Sequence, residues 1–458
     1  MKKTLWAAVW LAAACGFALG DNPQQASFIS YESAKSVVAA MPDSLPPQLK
    51  SLGPLDAAKW NAWVAQRDRE IRARLERGEE DTLTNLLRFG VTYTKEYRIE
   101  DEYLVRYGNS SLVNAFAETR ANDLVRALAA PNPPPGLAEM RAFLIKKGYS
   151  FKTPQSRARV KAYLLANLAR MRDEFVKYRA QKKDESRYQL FEDRGISLDT
   201  NLWPDYQLDL SLRQLKEKKL IKPNGVRRVA IVGPGLDFVN KEAGMDFYPP
   251  QTTQPFAVLD SLFQLGLADP KTVELYTIDI SPSVLAHVEG SVEKAGEGRD
   301  YVVQLPWNSG RPMSDEYRQA FVAYWEKLGG EIGETVPAIA VPETVSNTET
   351  RAVKVRRDVM RKMATVDMNV VYQSLALPPE EKFDLIIGTN IFLYYGAFEQ
   401  ALARANVAAM LKPGGLLLSN DKLPEAAPSG LESVMETEVV SSEQPLVRDT
   451  VFCYRRGD

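Results

Sequence analysis

The chain has 458 residues, 45% of them hydrophobic and 26% charged, which suits a globular protein of more than one domain and excludes a collagen-like, coiled-coil or disordered chain. Lys and Arg total 58 against 59 Asp and Glu, so a net charge of -1 gives no global field to hold nucleic acid or an anionic membrane. Two cysteines, Cys15 and Cys453, and one histidine, His287, exclude a disulfide scaffold and Cys-rich or multi-His metal sites, and argue against a Ser–His–Asp hydrolase.

Met1-Lys2-Lys3, the apolar run Leu5 to Ala14 and the small-residue stretch Ala18-Leu19-Gly20 form the three regions of a secretory signal over residues 1–20. The run is too short to cross a bilayer of roughly 30 Å. Ala12-Ala13-Ala14-Cys15 also resembles a lipoprotein box, a second route of processing. The expectation is an exported protein, periplasmic or secreted, whose mature chain has one cysteine and no membrane span; without cleavage it is cytoplasmic.

Residues 21–54, rich in Pro, Ser and Gln, read as a loose leader. Residues 55–222 read as a helical domain. Trp60, Val64, Ile71 and Leu75 fall at helical spacing, with Gly78 expected to stop that helix. Leu112 to Leu128, Leu137 to Ile145 and Val160 to Tyr188 are further amphipathic helices, the first two separated by Pro131-Asn132-Pro133-Pro134-Pro135-Gly136. The Trp and Tyr residues of this half are expected in its core.

After the turn Lys222-Pro223-Asn224-Gly225 the periodicity changes, and residues 223–458 read as an α/β domain. Arg227 to Val232 is a short apolar strand ending at Gly233-Pro234-Gly235. Val273 to Ile280, Val366 to Tyr372 and Phe383 to Gly388 are the next strands, with Phe256 to Leu267 a helix between the first two. Phe398 to Leu411 is a helix stopped by Lys412-Pro413-Gly414-Gly415, and Leu416 to Ser419 is a fifth strand. Alternating strands and helices imply a mostly parallel sheet. Thr437 to Val440 and Thr450 to Arg455 have no helix between them and predict an antiparallel hairpin at its edge.

In such a sheet a ligand binds at the carboxyl ends of the strands. Gly233 and Gly235 allow close backbone approach there, and Asp279 ends the second strand, where a carboxylate can accept both hydroxyls of a ribose. Asp367, Met368 and Asn369 fall at the third strand, and Thr389-Asn390 follows the fourth. With the Asp384 strand and Leu411-Lys412-Pro413-Gly414-Gly415, this ordered set resembles the class I S-adenosylmethionine-dependent methyltransferases over roughly Arg227 to Arg455. The stretch Phe383 to Tyr395 is similar to the corresponding part of chemotaxis-receptor glutamate methyltransferases.

The resemblance implies a Rossmann-like sheet preceded by a helical domain, and S-adenosylmethionine as cofactor. Carried over by position, Gly233 and Gly235 would face its methionine part, Asp279 would hold the ribose, and Asp367, Met368 and Asn369 would flank the adenine. Asn390, Tyr394 and Tyr395 would line the approach to the methyl group. The chain departs from the pattern at Asp237, where a third glycine is usual, at Ile231, where an acid is usual, and at Thr389, where the chemotaxis enzymes have Arg. Receptor glutamates are therefore not carried over as substrate.

Two insertions also depart. Residues 238–254 hold the aromatic stretch Asp246 to Thr252, and residues 304–357 are longer than an ordinary connection; either can be a lid or substrate wall, or pack on its own sheet. Asp237 and Asp246 are candidates for acceptor contact or for turn stabilisation, and His287 reads as a half-packed side chain. The expected function is methyl transfer to a small-molecule or protein acceptor, with no metal required. The alternative is an exported, non-catalytic binding protein that keeps the fold. A nicotinamide oxidoreductase ranks third, because the last glycine of the dinucleotide fingerprint is missing.

Overall fold

The computed structural model describes residues 26–107, 111–180, 195–196, 202–237, 246–425, 430–443 and 446–457. The expected signal segment and lipoprotein box lie outside these residues, as does the start of the first insertion. Among the described residues no helix is long and apolar enough to cross a membrane.

Residues 26–51 correct the expectation of a loose leader. Ala26–Phe28 (β1) pairs antiparallel with Gln373–Leu375, and Tyr31–Ala40 (α1) and Pro47–Ser51 (α2) follow. The polar composition of this stretch hides a few well-spaced apolar residues. Ala34, Val37 and Leu49 are buried against the rest of the chain.

Ala57–Phe89 (α3) is one helix of 33 residues, begun by the Asp56 carboxylate accepting from the Lys59 amide at 2.9 Å. Gly78 does not stop it. A Cβ on Gly78 would sit 1.8 Å from the Ile196 carbonyl oxygen, and one on Gly195 2.2 Å from the Gly78 nitrogen. The glycine serves a backbone crossing in mid-helix, where no side chain fits. At 1.5 Å per residue α3 is about 50 Å long, enough to serve two cores. Trp60, Trp63, Val64 and Ile71 from its first half pack against the sheet. Leu83, Leu86 and Leu87 join a separate core with Asp101–Tyr107 (α4), Ser111–Leu128 (α5), Pro135–Lys146 (α6) and Pro154–Ala180 (α7).

Leu202–Glu217 (α8) leads into the sheet domain. There follow Arg228–Val232 (β2), Gln254–Gln264 (α9), Glu274–Asp279 (β3) and Pro282–Gly296 (α10). Tyr301–Gln304 (β4), Trp307–Asn308 (β5), Asp315–Lys327 (α11), Gly333–Val336 (β6), Thr348–Glu349 (β7), Ala352–Val355 (β8) and Arg357–Met360 (α12) come next. The chain closes with Met363–Asp367 (β9), Gln373–Leu375 (β10), Phe383–Gly388 (β11), Ala397–Met410 (α13), Leu411–Ser419 (β12), Leu431–Glu443 (β13) and Leu446–Arg456 (β14).

The main sheet has seven strands in the order β13-β14-β12-β11-β2-β3-β9. β12, β11, β2, β3 and β9 run parallel, and β14 is antiparallel to β12. Every residue of β2 is buried, as a strand covered on both faces requires. Val229 and Ile231 face a core with α8 and α9; Ala230 and Val232 face the one with α1, α3 and α13. The predicted third strand is displaced: it is Met363–Asp367, and the chain turns from Met368 onward. The Lys412–Gly415 stretch does not separate helix from strand. It bulges within β12, where the register moves from Phe383↔Leu411 to Leu385↔Leu416.

The second insertion is a small subdomain, with an antiparallel sheet in the order β4-β8-β6. Phe321 of α11 stacks on Trp203 of α8 with ring centroids 4.1 Å apart, and Tyr324 meets Tyr206 at 5.2 Å. Aromatic packing of this kind fastens it to the face of the sheet away from α3.

At the amino ends of the strands, the Asp384 carboxylate accepts from the amides of Arg227 (2.9 Å) and Arg228 (2.8 Å) and from Lys412 Nζ (2.7 Å). One side chain thus pins β11 to β2 and β12. Asp384→Ala should lower stability by about 2–4 kcal/mol, since three charge-assisted bonds are lost. Urea denaturation measures it, and binding at the opposite end of the sheet should be unchanged.

Candidate active site

The carboxyl ends of β2, β3 and β9 and the segment after β11 open into a cleft of about 560 Å³, counting the part open to solvent. That is within the roughly 300–1,000 Å³ usual for a small-molecule site. Gly233, Gly235, Asp279, Met368, Asn369, Tyr394 and Tyr395 line it, seven of the positions expected from the sequence. Asp367 and Asn390, the other two, do not line it; each is the chain neighbour of a lining residue, Met368 and Ile391. The apolar lining, Leu75, Ile196, Val232, Ile278, Ile280, Val370 and Ile391, was not expected. Leu75 was legible only as one more residue of an apolar stripe, although it sits on α3 and closes the cleft from the helical half.

Each polar group has a distinct state. Gly233 and Gly235 both lie in the left-handed region, at φ 66° and 68°. Glycine is needed at this turn for its backbone and for space: a Cβ on Gly233 would fall 2.0 Å from Ile391 Cδ1. Asp279 Oδ1 accepts from the Ser281 amide at 2.8 Å, while Ser281 itself, not Asp279, caps α10. Burial pushes the Asp279 carboxyl up to about 6; the Ser281 and Ile280 amides oppose this and the Asp367 charge adds to it.

Asp367 and Asn369 are both engaged by α3. Arg72 donates to Asp367 at 2.7 Å and to Asp68 at 3.0 Å, and Asn369 Nδ2 donates to Asp68 at 3.0 Å. The two contacts differ in kind. The Asp367 side chain is 58% exposed, so its ion pair is worth roughly 0–1 kcal/mol and is readily exchanged. Asn369 is buried, and its Oδ1 also accepts from the Val371 amide at 3.1 Å. It shapes the turn that holds Met368. Tyr395 is buried, and desolvation drives its hydroxyl pKa up. The Tyr394 carbonyl accepts from Arg74 at 3.3 Å.

Beyond the glycines, the remaining candidates prove structural. Asp237 accepts from the Tyr248 hydroxyl at 2.9 Å and Gln251 Nε2 at 3.3 Å. Asp246 accepts from the Val91 amide (2.9 Å), the Thr92 amide (3.2 Å) and the Thr92 hydroxyl (2.8 Å), which fixes the turn after α3. His287 Nε2 lies 2.9 Å from the Tyr301 hydroxyl, which also accepts from the Thr252 amide at 3.1 Å. Burial pushes the imidazole down to about 4, so it is neutral at physiological pH. Residues 304–357 do not line the cleft. Cys453 is buried, and its thiol is pushed up to about 12. Among the described residues no cluster of His, Cys, Asp and Glu could hold a metal ion.

A polar chain missed in the sequence runs behind the cleft. Gln254 Nε2 donates to Thr389 Oγ1 at 2.9 Å and to Asp205 Oδ1 at 3.3 Å. Asp205 is 3% exposed, and burial pushes its carboxyl up to about 8. The folded chain therefore keeps a proton that the unfolded chain releases near pH 4. Stability should fall as pH rises from about 4 to about 8, and Asp205→Asn should flatten that slope in melting temperatures measured across the range.

No family model matches the sequence, and no curated protein matches it. Among solved structures, the chain is similar to magnesium protoporphyrin IX methyltransferase from Synechocystis PCC 6803 with bound S-adenosylmethionine, at 11% identity over 62% of this chain and 90% of that one, TM-score 0.27. It is also similar to the N-methyltransferase NodS of Bradyrhizobium japonicum WM9 in complex with S-adenosylhomocysteine, at 12% identity over 59% and 99%, TM-score 0.25. Likenesses this faint add nothing to what the strand order establishes. A parallel core of five strands ending in an antiparallel hairpin, β9-β3-β2-β11-β12-β14-β13, is the class I methyltransferase fold.

Proposed function

We propose that the chain is an S-adenosylmethionine-dependent methyltransferase whose cofactor occupies the cleft between the strand ends and α3. The observation that carries this reading is the convergence on one cleft of a left-handed glycine pair, an acid ending the second strand and two tyrosines after the fourth, from segments far apart in sequence. The residues fit the cofactor's chemistry. Asp279 has lone pairs left to accept ribose hydroxyls, the Gly233–Gly235 backbone admits a close approach, and Met368 and the apolar lining suit a purine face. Asp367 becomes available to the adenine edge once Arg72 yields. Asn369 has a supporting part and holds Met368 in place.

The cofactor supplies a methyl group already activated on a sulfonium. The chain has to align the partners and exclude water, and Leu75, Ile196, Ile280 and Ile391 serve the second task. Tyr394 and Tyr395 border the approach to the methyl group. The acceptor is a small molecule or a protein, and no metal is used. The non-catalytic alternative gains no support from the described residues. Export is a separate proposal, resting on residues 1–20 alone.

Calorimetric titration with S-adenosylhomocysteine tests the reading. Asp279→Ala should weaken binding by about 10- to 1,000-fold, as expected for the loss of two charge-assisted bonds. The ionised carboxylate is the better acceptor, so the wild-type chain should bind more tightly as pH rises through about 6, and Asp279→Asn should lose that dependence. Equal affinity of the wild-type and Asp279→Ala chains would overturn the assignment.

A further inference from the structure

Gln251-Thr252-Thr253-Gln254, leading into α9, are four consecutive polar residues, none more than 3% exposed. Such a run is buried only where its hydrogen bonds find partners. Here they join two segments that bracket the cleft. On one side, two residues beyond Gly235, the Asp237 amide donates to the Gln251 carbonyl at 2.7 Å and Gln251 Nε2 donates to Asp237 Oδ2 at 3.3 Å. On the other, just after β11, Thr389 Oγ1 accepts from Gln254 Nε2 at 2.9 Å. Asp237 and Thr389 are two of the positions at which the sequence departs from the methyltransferase pattern. Two residues after Thr389, Ile391 rests on Gly233, where an added Cβ would meet its Cδ1 at 2.0 Å. The tie at Thr389 therefore bears on how that segment sits over the glycine turn.

The Gln254 amide also meets Asp205 of α8, with Nε2 donating to Oδ1 at 3.3 Å. The two remaining oxygens, Asp205 Oδ2 and Gln254 Oε1, are buried and have no partner among the described residues. With Asp205 ionised, both are acceptors and neither can serve the other. The ionisable groups around this site are Asp237 after the glycine turn, Tyr324 of α11, Asp260 of α9, and Asp209 of α8 with its partner Arg213. Among the described residues none of them donates to Asp205. A proton on Oδ2 resolves both oxygens: the acid donates to Gln254 Oε1, Gln254 Nε2 donates to Oδ1, and the other N–H of the amide stays on Thr389.

We propose that protonated Asp205 and Gln254 form an acid–amide pair that positions Thr389, and through it the segment bordering the cofactor cleft. This rests on the methyltransferase reading above. Asp205, Gln254 and Thr389 are positioning residues, and none of them lines the cleft. Loss of the proton undoes the pair. An anionic Oδ2 then faces Gln254 Oε1, and the amide relieves that repulsion by turning both N–H groups to the carboxylate, which takes one from Thr389. Burial pushes the Asp205 carboxyl up to about 8 and the Asp237 charge adds to this, so the pair holds at neutral pH and is lost above about 8. Cofactor affinity then has two limbs. It rises through about 6 as Asp279 ionises and falls through about 8 as Asp205 does.

Calorimetric titration of the full chain with S-adenosylhomocysteine from pH 7 to 9, well below the melting temperature, tests the proposal. Asp205→Asn puts an oxygen and an N–H where the acid has its oxygen and O–H, so it mimics the pair without titrating. The wild-type chain should bind like Asp205→Asn at pH 7 and about 2- to 10-fold more weakly at pH 9, the scale of one hydrogen bond. Thr389→Val, which removes the tie, should stay below Asp205→Asn by that same factor at every pH. The ligand's own amino group titrates alike against all three chains, so the ratios between them isolate Asp205.

A constant ratio of wild-type to Asp205→Asn affinity from pH 7 to 9, with melting temperatures that diverge, would make Asp205 a stabiliser of the fold alone and overturn the proposal. Wild-type affinity in Thr389→Val at pH 7 would overturn it as well. Both results leave the cofactor reading intact, whereas a wild-type chain that binds no S-adenosylhomocysteine at any pH would sink both.

Discussion

One helix belongs to two hydrophobic cores, and the candidate site is where it passes between them. α3 buries Trp60, Trp63, Val64 and Ile71 on the sheet and Leu83, Leu86 and Leu87 among the other helices. Leu75 falls between these two sets and lines the cleft. A helix anchored at both ends cannot slide without opening one core, so the wall it gives the cleft is stiff. Gly78 is the cost of that geometry. A residue that weakens a helix interior is kept because the chain at Gly195 and Ile196 crosses there at backbone distance.

The same helix brings charge to the cleft in two grades. Asp68 is buried and grips Asn369, so that contact is part of the architecture. Arg72 reaches further, to an Asp367 that is mostly in water, and that contact is cheap to exchange. Under the proposed function, a purine edge competing for Asp367 faces a weak opponent, whereas the turn beneath it stays fixed. On the other side Leu236, just after the glycine turn, is buried in the helical core, and Asp246 further along accepts from the Val91 and Thr92 amides at the end of α3.

Much of this was legible in the sequence. The apolar run Arg227 to Val232 and two closing strands with no helix between them announced a mostly parallel sheet with an antiparallel edge. The glycine pair and Asp279 fell at strand ends, where the fold collects ligands, and the tyrosines in the segment after the fourth strand. What was hidden shares a physical cause: it depends on contacts between segments far apart in the chain. Leu75 and Ile196 look like ordinary apolar residues, and Gly78 looks like a stop until its crossing partner is known. Asp246 was read as facing an acceptor or a turn, and only the position of Val91 decides for the turn.

The central claim is that the space between the strand ends and α3 is a cofactor site walled by both halves of the chain. A crystal structure of the full chain with S-adenosylhomocysteine tests it most directly. The account predicts ligand density between the Gly233–Gly235 turn and Met368, the ribose on Asp279, and Leu75 within van der Waals contact. Ligand bound elsewhere, or an unfilled cleft at millimolar ligand, would contradict it.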